Sequence, residues 1–187
     1  PVVAIRARVE AEEELQGYLK KKPQALIATS GNSIRQFARL TRRKNITIVT
    51  VGNASALIAQ KLGFSSVLSA EGDVHVLMHF IKEHFYPSGG PLLYISGSIV
   101  AGDIEDYLEE HEFEVDRVML YKAMAVENFS ESLQDALQKG VLDLVLFYSP
   151  RSARVFMELV TKATLQNTLA TLSAVCLSNA VAKELSP

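Results

Sequence analysis

The chain of 187 residues has a single cysteine, Cys176, so no disulfide can close within it. A lone cysteine inside an apolar run is expected to be a buried small hydrophobe in a reducing compartment, with the cytoplasm as the default location. An excess of one charge is missing too. Lys and Arg number 19 against 21 Asp and Glu, a net −2 with the signs interspersed, and this gives no basic field for a nucleic-acid backbone. Lys20-Lys21-Lys22 and Arg42-Arg43-Lys44 are then solvated helix ends. No signal-peptide pattern and no run of about 20 apolar residues is present, so neither nucleic acid nor a membrane is an expected partner. Several signatures are lacking. There is no GxxxxGK(S/T) phosphate loop, no GxGxxG dinucleotide turn and no GxSxG nucleophile elbow. His75 and His79 lie four apart on an expected helix, with His84 and His111 elsewhere, but no Cys or acidic partner completes a zinc pattern, so no metal is expected.

What the chain does have is a repeated strand, polar turn and helix start. Ala25 to Phe37 passes from an apolar run through Thr29-Ser30-Gly31-Asn32-Ser33 into a helical pattern. Leu144 to Phe156 repeats the layout, with Ser30 and Ser149, Ser33 and Ser152, Arg35 and Arg154, and Phe37 and Phe156 in one register. A looser pair is Val51-Gly52-Asn53-Ala54 and Leu177-Ser178-Asn179-Ala180. The pattern predicts two related α/β lobes.

Along the chain, helix and strand periods alternate. Expected helices run over 10–20, 32–43, 54–62, 73–85, 103–111, 130–139 and 151–161, with another starting at Asn179. Expected strands run over 25–28, 46–51, 66–68, 92–95, 115–121, 144–147 and 172–177. The β-branched run Ile46 to Val51 predicts a strand buried on both faces, and the alternation predicts parallel sheets covered by helices. Residues 7–119 hold enough strands for a complete lobe. Residues 1–6 with 120–187 hold too few, which predicts a strand and helix in front of Pro1 and more beyond Pro187.

In doubly wound sheets, ligands sit at the carboxyl ends of strands, where helix N-termini present free N–H groups and a positive dipole end. Ser30, Ser33, Asn53, Ser96, Ser98, Ser149, Ser152, Ser178 and Asn179 would add neutral donors there and favour an anion. Ser and Asn also cap helices everywhere, so it is the repetition at several strand ends that points to a site.

These turns, in order and spacing, carry a resemblance. Thr29-Ser30-Gly31-Asn32-Ser33, Val51-Gly52-Asn53-Ala54-Ser55-Ala56, Ala70-Glu71-Gly72-Asp73, Leu92 to Gly97, Val118 to Tyr121 and Phe147 to Ser152 resemble the uroporphyrinogen-III synthase family. The resemblance implies an α/β fold of two doubly wound, flavodoxin-like parallel-sheet lobes joined by a two-stranded connector, with the substrate in a cleft between them. It implies a cofactor-free, monomeric lyase of haem biosynthesis that dehydrates and cyclises hydroxymethylbilane, a linear tetrapyrrole polycarboxylate, to uroporphyrinogen III with ring D inverted. Tyr121 is the tyrosine of the family's strand-end motif and the candidate proton donor to the leaving hydroxyl. The matching turns make Thr29, Ser30, Asn32, Ser33, Asn53, Ser96, Gly97, Ser98, Ser149, Arg151, Ser152, Ser178 and Asn179 the candidate substrate-binding residues. The family's opening strand with its Thr-Arg-Pro-type turn has no counterpart here, and Ser178-Asn179-Ala180-Val181 stands where the later lobe usually has hydroxyl residues. The competing expectation is a two-lobed, non-catalytic binding protein for small anions.

Overall fold

The computed structural model describes residues 2–100 and 102–185. The expected segments in front of Pro1 and beyond Pro187 lie outside the described residues. The chain divides into two compact units, Ile5–Ala123 and a smaller one made of Pro1–Ala4 with Met124–Pro187.

The larger unit carries strands β1 (Val3–Ala7), β2 (Ala25–Ala28), β3 (Ile48–Thr50), β4 (Val67–Ser69), β5 (Leu92–Gly97) and β6 (Val115–Ala125), of which β1 and β6 run across the unit boundary. Its helices are α1 (Ala11–Lys20), α2 (Gly31–Leu40), α3 (Asn53–Lys61), α4 (Val74–His84) and α5 (Ile104–Glu109). The sheet order is β1-β6-β5-β2-β3-β4, and β6, β5, β2, β3 and β4 are mutually parallel. The order of the parallel strands therefore reverses between β2 and β5. It differs from a flavodoxin-like order, in which the third strand would lie beside the first; here β4 lies at the edge beyond β3. The sheet is mostly parallel because β1 adds differently: Arg8 N–H donates to the Leu120 carbonyl and Val126 N–H to that of Val2, the pattern of an antiparallel pair.

Period-two alternation splits this core into two layers. Leu26 and Ala28 of β2 and Leu93 and Ile95 of β5 pack with Leu15 and Leu19 of α1, Ile34 and Phe37 of α2 and Ala59 of α3. Ala25, Ile27, Leu92 and Tyr94 face the other way, against Leu77 and Ile81 of α4 and Ile104 and Leu108 of α5. Each fully buried Leu, Ile or Phe contributes about 1.5–3 kcal/mol, so the two layers hold the sheet rim rigidly.

Some boundaries differ from expectation. The strand expected over 46–51 is only Ile48–Thr50. The helix expected to reach Arg43 ends at Leu40, because Thr41 is extended and its hydroxyl accepts from the Arg43 N–H at 3.1 Å, a local alternative to helical bonding. Helix α4 starts where Asp73 caps it, its carboxylate accepting from the His75 and Val76 N–H groups at 2.8 and 3.0 Å. Those N–H bonds, that of Val76 first, hold the Asp73 pKa below its ordinary value. A depressed carboxylate stabilises the fold above its unfolded pKa, and that contribution disappears as pH falls through the folded value. Asp73→Asn, which keeps an acceptor oxygen without the titrating charge, should flatten that part of the acid limb when thermal melts are compared between about pH 5 and 3. Parallel acid limbs in both proteins would count against this.

The smaller unit carries α6 (Glu131–Gln138), β7 (Leu144–Phe147), α7 (Pro150–Lys162), β8 (Ser173–Cys176) and α8 (Asn179–Lys183). The segment Gln166–Thr171 is a 3₁₀ helix. Strands β7 and β8 form a two-stranded parallel sheet. Phe147 packs on Phe156 and Leu159 of α7, whereas Leu144 and Leu146 are 52% and 51% exposed. Cys176, expected to be buried, is half-buried because a two-stranded sheet does not enclose it.

Candidate functional site

In the larger unit the reversal of strand order between β2 and β5 opens the sheet at their carboxyl ends. Thr29 follows β2, and Ser30 is the extended N-cap of α2 (φ −143°, ψ 136°). The Ser30 hydroxyl oxygen accepts from the Asn32 N–H at 3.1 Å and from the Tyr121 phenol at 3.3 Å. With both lone pairs engaged, the Ser30 proton is left to donate. Ser33, one turn on, is fully buried, and its Oγ has no hydrogen-bond partner. Gly31 lies close to α3: an added Cβ would meet the end of the Ile58 side chain and make it turn aside.

Tyr121 reaches Ser30 through an irregularity in β6. Ser96 pairs with Met119, but Gly97 pairs with Tyr121, so Leu120 is an extra residue. In uninterrupted alternation Tyr121 would share the face of Arg117 and Met119. The bulge turns it to the face of Val118 and Leu120, where it packs in the α1/α2 layer. Its ring lies on Gly97, leaving no room there for a side chain.

The candidates after β5 divide. Ser96 is buried on the opposite face, its Oγ accepting from Arg117 Nε at 2.9 Å. Ser98, expected to flank a helix start, instead extends the ladder: its N–H donates to the Tyr121 carbonyl at 2.9 Å, and its Oγ accepts from the Ala123 N–H at 3.1 Å. Asn53 is exposed in the first turn of α3, whose N-cap is Gly52. Contacts therefore join Thr29, Ser30, Asn32, Gly97 and Tyr121, directly or through one residue.

Two residues of this rim were not singled out from the sequence. The Tyr94 hydroxyl lies 3.2 Å from Thr29 Oγ1, and the Arg117 guanidinium sits 6.0 Å from the Tyr94 ring centroid. Burial pushes the Tyr94 pKa up, so its phenol stays protonated. Their signal is tertiary, since Ile27 pairs with Tyr94 and Tyr94 with Arg117 only once the strand order is known.

In the smaller unit Ser149 caps α7, its Oγ accepting from the Ser152 N–H at 3.2 Å and lying 2.9 Å from Ser152 Oγ. Pro150 occupies the first turn, where no N–H is needed, and Arg151 beside it is half-buried. Ser178 and Asn179 are exposed at the start of the short helix α8, and the Ser178 side chain makes no cap bond. Ser149→Ala should lower stability by about 1 kcal/mol, the usual loss for a cap, read as a lower urea midpoint at unchanged slope.

Acidic residues do approach the histidines: His75 and His79 of α4 share a groove of about 590 Å³ with Asp103, Asp106 and Glu110. Among the described residues, however, no three His, Cys, Asp or Glu side chains are arranged to hold a metal ion, and no helix is long and apolar enough to cross a membrane.

A Rossmann-type rim of neutral donors with a tyrosine turned onto it by a bulge is a specific arrangement, and the sequence matches the family described as uroporphyrinogen-III synthase HemD over residues 1–186. The chain belongs to that family. Solved structures agree in fold. Uroporphyrinogen-III synthetase from Helicobacter pylori is 17% identical, with a TM-score of 0.66 over 98% of this chain and 79% of that one. A mutant uroporphyrinogen III synthase from the extremely thermophilic bacterium Thermus thermophilus is also 17% identical, with a TM-score of 0.57 over 99% of this chain and 77% of that one. Among curated proteins, none matches the chain in sequence.

Proposed function

We propose that this chain acts as a uroporphyrinogen-III synthase, the lyase that dehydrates hydroxymethylbilane and closes it to uroporphyrinogen III with the last pyrrole ring inverted. The observation that carries the reading is the family match along residues 1–186. The chemistry of the rim supports it. A substrate with an acetate and a propionate on each ring suits neutral donors and helix N-termini, which hold carboxylates without an ion pair that would resist product release.

In this reading Thr29, Ser30, Asn32, Asn53, Gly97 and Ser98 of the larger unit, and Ser149, Arg151, Ser152, Ser178 and Asn179 of the smaller, bind substrate carboxylates through backbone N–H groups and hydroxyls, whereas Ser33 and Ser96, both buried, drop out of the candidate set. Tyr121 is the catalytic residue. As the carbon–oxygen bond of the terminal hydroxymethyl group breaks, the pyrrole nitrogen supplies the electron pair to the carbon, and the Tyr121 proton leaves with the hydroxyl as water. The resulting azafulvenium ion is attacked by the substituted carbon of the last ring, forming a spiro intermediate. Rearrangement and proton loss from carbon complete the macrocycle and return a proton to the phenolate. The conversion changes no oxidation state and needs no electron carrier. Holding the linear chain so that the substituted carbon is nearest outweighs any single proton transfer. We further infer a monomer working in the cytoplasm, testable by light scattering on the purified chain and by fractionation.

The decisive experiment is anaerobic incubation with hydroxymethylbilane, followed by oxidation and separation of isomers. The type III isomer should form faster than type I arises by spontaneous closure. Type I alone, at the uncatalysed rate, would refute the reading.

A further inference from the structure

Tyr94 is 1% exposed in the middle of β5, its ring packed among Leu77, Ile81, Ile104 and Leu108. Phenylalanine would fill that space, so the hydroxyl has to be explained by what it meets. A buried phenol needs a hydrogen-bond partner, and here the partner is Thr29 Oγ1 at 3.2 Å, on the residue that follows β2 and precedes the cap of α2. Beside the ring, Arg117 donates from Nε to Ser96 Oγ at 2.9 Å, with its guanidinium 6.0 Å from the ring centroid and 3.4 Å from the Glu105 carboxylate. Arginine can only donate, so Ser96 must accept and its own proton turns elsewhere. A protonated phenol, a stronger donor than an aliphatic hydroxyl, imposes the same polarity on Thr29.

We propose that Tyr94 is a positioning residue that acts through Thr29, fixing the threonine hydroxyl with its proton directed outward to a substrate carboxylate at the end of β2. The proposal rests on the synthase reading. Arg117 braces the Tyr94 ring from the neighbouring strand, and Phe at 94 would leave the Thr29 hydroxyl free to rotate and spend part of its time presenting a lone pair to the anion. The defect belongs to binding and not to the chemical step.

The test is a double-mutant cycle of Tyr94→Phe and Thr29→Val in the full chain. It is read as KM and kcat for hydroxymethylbilane and, independently, as the dissociation constant of uroporphyrin III measured by its fluorescence. Tyr94→Phe should raise KM and the dissociation constant about fivefold with kcat within about twofold, the size of one hydrogen bond. The double variant should be no worse than Thr29→Val alone, because Tyr94 has nothing left to orient. Thr29→Ser, which keeps the hydroxyl, should recover most of the affinity that Thr29→Val loses. Losses that multiply in the double variant, or a Tyr94→Phe protein whose KM and dissociation constant are unchanged, would overturn the proposal. A wild-type chain that binds uroporphyrin III without cyclising hydroxymethylbilane defeats the synthase reading alone, and the cycle in binding still decides the role of Tyr94. A chain that does neither defeats both.

Discussion

Tyr121→Phe should lower turnover by about 10²- to 10⁴-fold, the range for loss of a general acid, with KM little changed. The ring contacts in the α1/α2 layer survive the substitution, and only the phenol bond to Ser30 is lost. The fold should therefore weaken by no more than about 1 kcal/mol. Ser30→Ala is the useful contrast. It removes the acceptor that holds the phenol but leaves the α2 N–H groups and the phenol itself, so its cost should stay within about 1–2 kcal/mol, roughly tenfold in kcat/KM. Single-turnover measurements would separate the chemical step from release. A Tyr121→Phe enzyme within about threefold of wild type would mean that water or the substrate's own groups supply the proton and that positioning alone carries the catalysis.

The contrast between Ser30 and Ser96 shows where the sequence stops being informative. Both follow apolar runs and both looked like donors at strand ends. Ser30 caps a helix, a local matter fixed by the residues around it, and it does so in the structure. Ser96 is turned by the period of β5 onto the face of Arg117, a residue that is adjacent only because β6 lies beside β5. Turns and caps at Ser30, Asp73, Ser130 and Ser149 were legible because a few neighbouring atoms decide them. The same holds for the parallel α/β class, which follows from alternating periods. Strand order was not, and with it went the Tyr94 to Thr29 bond. The bulge at Leu120 was hidden for another reason: an inserted residue in Val118-Met119-Leu120-Tyr121 changes no composition, only the face on which Tyr121 emerges.

That bulge makes Gly97 the most demanding position at the rim. An added Cβ would collide with Tyr121 Cζ and lie 2.6 Å from Cε2 and 2.7 Å from the phenol oxygen, a ring already buried among Val118, Leu120 and Ile34. Gly97→Ala should therefore displace the ring, lowering stability by about 1–3 kcal/mol as overpacking does. Turnover should fall by roughly 10²-fold, since a shift near 1 Å is enough to misplace a proton donor. Overpacking against this one ring predicts a strong coupling. In a Tyr121→Ala background the collision is gone, so Gly97→Ala should there change stability by less than about 0.5 kcal/mol. Urea unfolding of the four proteins measures the cycle directly. If Gly97→Ala destabilises both backgrounds equally, the glycine is required by the strand itself and not by the phenol it supports, and the bulge and the glycine do not together aim Tyr121 at Ser30.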